Sequence, residues 1–193
     1  MAEEAGGRTP AADGLSLYVH VPFCRARCNY CDFYSQVLPD QARARDFLDA
    51  LALELARHQA LAPFVTLYVG GGTPSVLEQP LFGRLLGLLG PLLAPGGEWT
   101  MEANPESLTE EKLAAMRAAG VTRLSLGIQS LREDRRSFLG RVHGAQEARA
   151  ALDRARAAGP AQLSADLLRG LPGQTPGEGD ALPSADRKSV GKG

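Results

Sequence analysis

The chain has 193 residues, 44% of them hydrophobic and 22% charged, a balance that specifies a packed globular body and excludes a disordered chain. Its 21 basic and 22 acidic residues are interspersed and leave a net charge of -1, which excludes the one-sided basic surface of a nucleic-acid binder. No signal peptide or transmembrane segment is visible, because the nearest apolar run, Leu15 to Phe23, is too short and is broken by His20 and Pro22; the cytoplasm is the expected compartment.

Residues 1–15 open on an acidic, Gly-rich stretch and are expected to form a flexible N-terminus. The first strand is expected over Leu17 to Val21, and all three cysteines of the chain follow it as Cys24, Cys28 and Cys31. This C-x3-C-x2-C spacing supplies three thiolates to a four-iron cluster and leaves one iron without a protein ligand. An iron with an open position can bind a small molecule and pass it an electron. An odd cysteine count makes a poor disulfide framework and a good reduced metal site. The alternative is a zinc site completed by His20 or a distant residue.

A helix from about Asp40 to Gln59 places Phe47, Leu48, Leu51 and Leu55 on one face. The second strand, Val65 to Val69, runs into Gly70-Gly-Gly-Thr-Pro74. Glycines there either let backbone approach a ligand or make a tight strand-to-helix turn; the segment is neither a Walker loop nor Gly-x-Gly-x-x-Gly. Ser75-Val-Leu-Glu78 and Ser107-Leu-Thr-Glu110 both carry the spacing of a capping box and predict the next two helices, the first weakened by Gly83, Gly87 and Gly90. Between them lies a third strand, Glu98 to Glu102, leading into Ala103-Asn-Pro105.

The fourth strand, Arg123 to Ile128, is followed by Gln129, and the fifth, Gln162 to Leu168, carries Asp166 near its end. Arg132 to Arg136 alternates in sign and reads as a solvated helix start, and His143 as a cap or a solvent-facing side chain. His20 alternates on the first strand and is expected to be satisfied in the interior. Leu171 to Gly179 lacks the lysine and helix that a phosphate loop needs, and Arg187 and Lys188 sit in a Gly/Ser-rich tail.

Arg117-Ala-Ala-Gly-Val-Thr-Arg-Leu-Ser125 is echoed by Arg156-Ala-Ala-Gly-Pro-Ala-Gln-Leu-Ser164, the same helix, glycine and strand twice over. Strands alternating with helices predict an α/β fold with a parallel sheet and helices outside it. Cys24 to Cys31, the glycine turn, Glu102, Gln129 and Asp166 all fall at strand C-terminal ends, the rim where such folds build their sites. Glu102, Gln129, Arg141 and Asp166 offer polar groups suited to an amino acid and a ribose, although each alone serves equally as a cap, a solvated residue or a supporting partner. Tyr18 and Tyr30 read either as ligand contacts or as aromatics packed beside the cluster.

With these motifs in order, the chain resembles the radical S-adenosylmethionine superfamily, and more closely the anaerobic coproporphyrinogen III oxidase-related family in its haem chaperone branch. The matches are Leu17-Tyr-Val-His-Val-Pro-Phe-Cys24, Cys28-Asn-Tyr-Cys-Asp-Phe33, Gly70-Gly-Gly-Thr-Pro-Ser75, Glu102-Ala-Asn-Pro105, Arg123-Leu-Ser-Leu-Gly-Ile-Gln-Ser130, Leu139-Gly-Arg141 and Leu171-Pro-Gly-Gln-Thr175. The resemblance implies a (β/α)6 barrel of the radical SAM type, here partial, open and truncated, with about five β-α units over residues 16–177. It implies that Cys24, Cys28 and Cys31 bind [4Fe-4S] and that S-adenosyl-L-methionine binds the fourth iron. Tyr18, Tyr30, Gly71, Gly72, Thr73, Glu102, Gln129, Arg141 and Asp166 match the family positions that contact that cofactor. An electron from the cluster would then cleave the sulfonium to methionine and a 5'-deoxyadenosyl radical.

The family's oxidases follow the third cysteine with Gly-Cys, whereas this chain has Asp32-Phe33, as the haem chaperones do. The resemblance therefore implies a protein that binds haem and delivers it to haem proteins, with an electron donor for the cluster as a further partner. The alternatives are oxygen-independent coproporphyrinogen III oxidase activity, or a non-catalytic fragment or structural metal-binding protein. Family members run to nearly twice this length, so the chain is expected to be a fragment, an altered reading frame or a truncated product. Residues 178–193 would be a disordered or non-family tail, the family's C-terminal haem-binding region would be missing, and the last strand would present a bare hydrophobic face and an unpaired edge.

Overall fold

Alternating side-chain character along each strand decides which way the sheet faces. In the computed structural model, which describes residues 14–175, five parallel strands lie side by side in the order in which they occur in the chain. They are β1 (Ser16–Val21), β4 (Phe64–Gly71), β5 (Leu93–Ala103), β6 (Arg123–Gln129) and β7 (Gln162–Leu167). The two intervening strands, β2 (Phe23–Cys24) and β3 (Gln36–Val37), form a separate parallel pair beyond the end of β1. The expected N-terminal stretch through residue 13 and the expected tail lie outside the described residues.

Val19, Val21, Leu67, Val69, Trp99, Met101, Ala103, Leu124, Leu126 and Ile128 share one buried cluster with the helices. Those helices are α1 (Gln41–Arg57), α2 (Gln79–Leu89), α3 (Glu110–Ala119) and α5 (Ala145–Ala158), while the short α4 (Glu133–Phe138) contributes no residue to the cluster. The residues between, among them Tyr18, His20, Tyr68, Thr100, Glu102, Ser125 and Asp166, belong to the opposite face, because side chains alternate along a strand. A sheet covered on one side by helices thus keeps a polar second side, as the inner wall of an open barrel does. Register carries the pattern across: Tyr18 pairs with Tyr68, Glu102 with Ser125, Ser125 with Ser164, and Gly127 with Asp166.

Helix boundaries follow from local chemistry. Asp40 caps α1 by accepting from Arg43 N at 3.0 Å, and Thr109 caps α3 by accepting from Lys112 N at 3.2 Å. Gly120 and Gly159 close α3 and α5 with φ of +93° and +65°, the left-handed conformation expected of them. On α5 the buried residues are Ala148, Ala151, Leu152 and Ala155, a mostly small stripe, and the helix packs against α3 and the turn Pro105–Ser107.

Two expectations are corrected here. Neither serine of the two capping-box patterns caps a helix: α2 begins after Glu78 and α3 after Thr109. Ser75 instead sits in the middle of one short 3-10 turn and Ser107 ends another, and the two hydrogen-bond each other at 2.6 Å, joining the loops that leave β4 and β5. The last strand does not show a bare apolar face either. Leu163, Ala165 and Leu167 are partly buried against the core, and the side left open carries Gln162, Ser164 and Asp166. Among the described residues no helix is long and apolar enough to cross a membrane.

Candidate functional site

The cysteine segment is held from both ends. Gln36 N donates to Pro22 O at 2.8 Å and Leu38 N to Cys24 O at 2.9 Å, closing the loop that carries the thiols, and Cys31 N turns back onto Cys28 O at 3.2 Å. Asn29 ties the loop to the end of α4 through its backbone N to Leu139 O at 3.1 Å and its Nδ2 to Phe138 O at 2.9 Å. All three cysteines are free and half-buried. Burial pushes the Cys24 thiol above its ordinary pKa, against the lowering effect of hydrogen bonds from Thr73 and Ser35.

The glycine turn after β4 packs directly on this loop. Gly72 N donates to Val21 O at 2.8 Å and Thr73 N to Phe23 O at 2.6 Å. A Cβ at Gly72 would stand 2.5 Å from Phe23 O, so residue 72 must be glycine for the two backbones to meet. The tight-turn reading of Gly70-Gly-Gly is thus realised, and the backbone that Gly72 approaches is that of Val21 and Phe23 at the start of the cysteine loop. Thr73 Oγ1 then reaches Cys24 Sγ at 3.7 Å.

Glu102, at the end of β5, is fastened through both oxygens: Tyr68 donates its hydroxyl to Oε1 at 2.5 Å, and Gly71 N donates to Oε2 at 3.2 Å. Burial, followed by the hydrogen bond and charge of Glu102, pushes the Tyr68 phenol well up. Asp166 accepts from Ser125 Oγ at 3.1 and 3.2 Å, which fixes its carboxylate on the same face two strands away.

Gln129 has a φ of +60°, the left-handed region that a non-glycine residue adopts at a cost of about 1–2 kcal/mol. The pairing of β6 with β7 shifts register between Gly127 and Gln129, so the strand bulges there and re-aims the side chain. Arg136 secures the bulge: Nη1 donates to Ile128 O at 2.8 Å and Ser130 O at 2.5 Å, and Nε to His143 O at 2.9 Å. Arg136 is 1% exposed and His143 2%, which corrects the solvated readings of both. His143 Nδ1 lies 2.7 Å from Glu106 Oε2, an ion-pair separation whose alignment falls short of a hydrogen bond. Burial works to raise the Glu106 carboxyl, but His143, a backbone N–H and the charge of Arg141 together hold the group below the usual 4.5.

Arg141 connects these parts. Its Nη2 donates to Asn104 Oδ1 and to Gly127 O, both at 2.8 Å, and its Nη1 to Cys28 Sγ at 3.4 Å and Tyr30 Oη at 3.5 Å. Burial pushes the Tyr30 phenol up to about 12, with the Arg141 charge opposing.

One cavity of about 610 Å³ is lined by Cys24, Cys28 and Cys31 together with Tyr30, Gly71, Gly72, Thr73, Glu102, Gln129, Arg141 and Asp166. Tyr18 stands apart from it, half a strand back on β1: its hydroxyl meets His20 Nδ1 at 3.0 Å, and its ring lies 5.9 Å from that of Tyr68. It touches the site through Tyr68 and Glu102 rather than directly. Nothing in the sequence pattern singled out Tyr68, Asn104 or Arg136; Asn104 lay inside a quoted motif without a role.

The residues fit the groups that the motifs call for. A cubane needs only three thiolates facing one cavity. Beside them Gln129 and Arg141 line the same cavity, and their Oε1 and Nε are buried without a hydrogen-bond partner.

A family model described as the radical SAM superfamily matches residues 18–182. The heme chaperone HemW of Escherichia coli (strain K12) is 40% identical over 166 residues, 83% of this chain and 44% of that protein. The heme chaperone HemW of Mycobacterium tuberculosis (strain ATCC 25618 / H37Rv) is 43% identical over 184 residues, 89% of this chain and 45% of that protein. A solved structure of coproporphyrinogen III oxidase (HemN) from Escherichia coli superposes with a TM-score of 0.78 at 34% identity, covering 86% of this chain and 39% of that one. The chain spans less than half the length of these relatives.

Proposed function

The chain belongs to the radical SAM superfamily, and from that premise we propose that its 610 Å³ cavity holds a [4Fe-4S] cluster and S-adenosylmethionine side by side, within a haem chaperone-like protein. The observation that carries the reading is the convergence of three thiols and four separately positioned polar side chains on one cavity. Cys24, Cys28 and Cys31 would hold the cluster through their three thiolates, and one iron left without a protein ligand would be open to the cofactor. When bound, the pair supplies one-electron chemistry that the chain's own side chains lack.

The chain's residues bind, orient and exclude. A carboxylate offers about four lone-pair sites, and Glu102 commits two to Tyr68 and Gly71, so it retains capacity for an ammonium or a hydroxyl. Arg141 and Gln129 line the same cavity and would offer a guanidinium to a carboxylate and an amide to a hydroxyl. Asp166, fixed by Ser125, faces the ribose end, while Tyr30 covers the cluster side and shields it from water.

In a full-length protein of this kind the core, residues 16–177, would carry the cluster and the cofactor, while the family's C-terminal region would bind the haem that is passed to haem-accepting proteins in the cytoplasm, with a reductant feeding the cluster. Asp32-Phe33 after the third cysteine supports the chaperone branch. The likeness to the solved oxidase favours the second reading, oxidative decarboxylation of a porphyrinogen. Anaerobic reconstitution tests the common core: about four iron and four sulfide per chain, with an EPR spectrum perturbed by S-adenosylmethionine, supports it, and no cluster sinks it. Haem binding and transfer without turnover then separates the chaperone from an oxidase, which would release 5'-deoxyadenosine with coproporphyrinogen III.

A further inference from the structure

We propose that Asn104 is the positioning residue through which one guanidinium, that of Arg141, supplies hydrogen-bond donors to two cluster thiolates at once, Cys28 directly and Cys24 by relay. The inference rests on the cluster reading above. Arg141 Nη1 donates to Cys28 Sγ at 3.4 Å, and Arg141 Nη2 donates to Asn104 Oδ1 at 2.8 Å. Asn104 Nδ2 donates to Thr73 Oγ1 at 2.8 Å, and Thr73 Oγ1 donates to Cys24 Sγ at 3.7 Å.

The direction of this chain is forced. A guanidinium has donors only, so the group facing Arg141 must be the amide oxygen and the group facing Thr73 must be the NH2. The Thr73 hydroxyl, accepting from that NH2, keeps its own proton for Cys24. Donors aligned head to tail polarise one another, so the charge of Arg141 is felt at Cys24 as well as at Cys28.

Asn104 itself is immobilised on both sides. Its N donates to Ser75 Oγ at 3.3 Å, and its O accepts from Ser107 N at 3.1 Å and Ser107 Oγ at 3.2 Å. The Ser75 and Ser107 pair, which caps no helix, thus anchors the relay. Gly127 leaves room for it, since a Cβ there would collide with Asn104 Oδ1. Only an amide of this length both accepts from a cation and donates to a hydroxyl; aspartate accepts from both neighbours, turns the Thr73 proton away from Cys24 and adds a negative charge.

Donors to the sulfurs stabilise the more negative, reduced cluster and raise its potential. The test is an EPR-monitored redox titration of the reconstituted full chain, without S-adenosylmethionine, for wild type, Asn104→Asp, Thr73→Val and Thr73→Ser, with iron, sulfide and melting temperature recorded for each. Asn104→Asp is expected to shift the midpoint to lower potential by at least a tenfold loss in the reduction equilibrium, about 59 mV for one electron. Thr73→Val, which removes one hydroxyl at nearly constant shape, is expected to lower it less, and Thr73→Ser to restore the wild-type value. Should Asn104→Asp fail to hold a cluster, the two Thr73 variants decide the question. Loaded clusters whose potentials coincide across the series overturn the relay alone, whereas a wild-type chain that assembles no cluster overturns the proposed function and the relay together.

Discussion

Arg136 brackets Gln129: a single nitrogen, Nη1, accepts no proton but donates to the carbonyls on either side of it, 2.8 Å to Ile128 and 2.5 Å to Ser130. A guanidinium buried behind the sheet therefore holds the one non-glycine residue with positive φ among the described residues, on the rim of the cavity. Replacing Arg136 with Met removes the donor from the buried carbonyls of Ile128 and His143 and from the part-buried carbonyl of Ser130. The variant is expected to lose about 3 kcal/mol of stability in urea unfolding, and a loss under about 0.5 kcal/mol would contradict the bracket.

Gln129 itself separates backbone strain from ligand binding. Glycine at this position relieves the left-handed backbone but removes the amide, so Gln129→Gly is expected to keep stability within about 1 kcal/mol of wild type. Its affinity for S-adenosylmethionine, measured by calorimetry on the reconstituted chain, should fall by about tenfold, the loss of one hydrogen bond of about 1.4 kcal/mol. Gln129→Val, β-branched at positive φ, should instead destabilise by about 2 kcal/mol.

Gly72→Ala tests the seating of the cysteine loop. The new Cβ meets Phe23 O at 2.5 Å, Phe23 N at 2.8 Å and Val21 O at 2.8 Å, all backbone atoms that cannot swing aside. The expected outcome is a loss of about 2 kcal/mol together with a fall in iron bound per chain on reconstitution. Gly83→Ala, where a Cβ meets nothing within 4 Å, is the matched control and should be neutral or slightly stabilising.

Acid should weaken the chain through Glu106. Its folded pKa lies below the ordinary 4.5, so its contribution is present above that value and is lost as pH falls from about 4.5 through the folded value. Melting temperatures between pH 7 and pH 3 are expected to drop in this window for wild type and to drop less for Glu106→Gln. Equal slopes for the two would place the acid sensitivity elsewhere.

The strands, their parallel order and the rim were legible because period-2 alternation and the glycines at 120 and 159 are local signals. The cysteines were legible because their spacing is itself the chemistry. Arg136 and His143 were not: a run of Arg-Glu-Asp-Arg-Arg has no local sign of burial, and it is the turn from α4 towards α5 that folds one arginine under the β6 bulge. Ser75 and Ser107 misled for a related reason. A capping box and a cross-loop hydroxyl pair draw on the same residues, and only the nearness of two loops 32 positions apart decides between them.

Strand order equal to chain order has a consequence for how the fold can be assembled and dissected. Within this sheet each strand pairs with the sheet strand that precedes it, β4 with β1 across the β2–β3 pair and α1, so register can be set one sheet neighbour at a time as the polypeptide leaves the ribosome. Shortening from the far end would first strip Asp166 while sparing the thiols, whereas circular permutation that moves β1 to the far end would put Cys24, Cys28 and Cys31 last in synthesis and delay the metal centre until the rest is built.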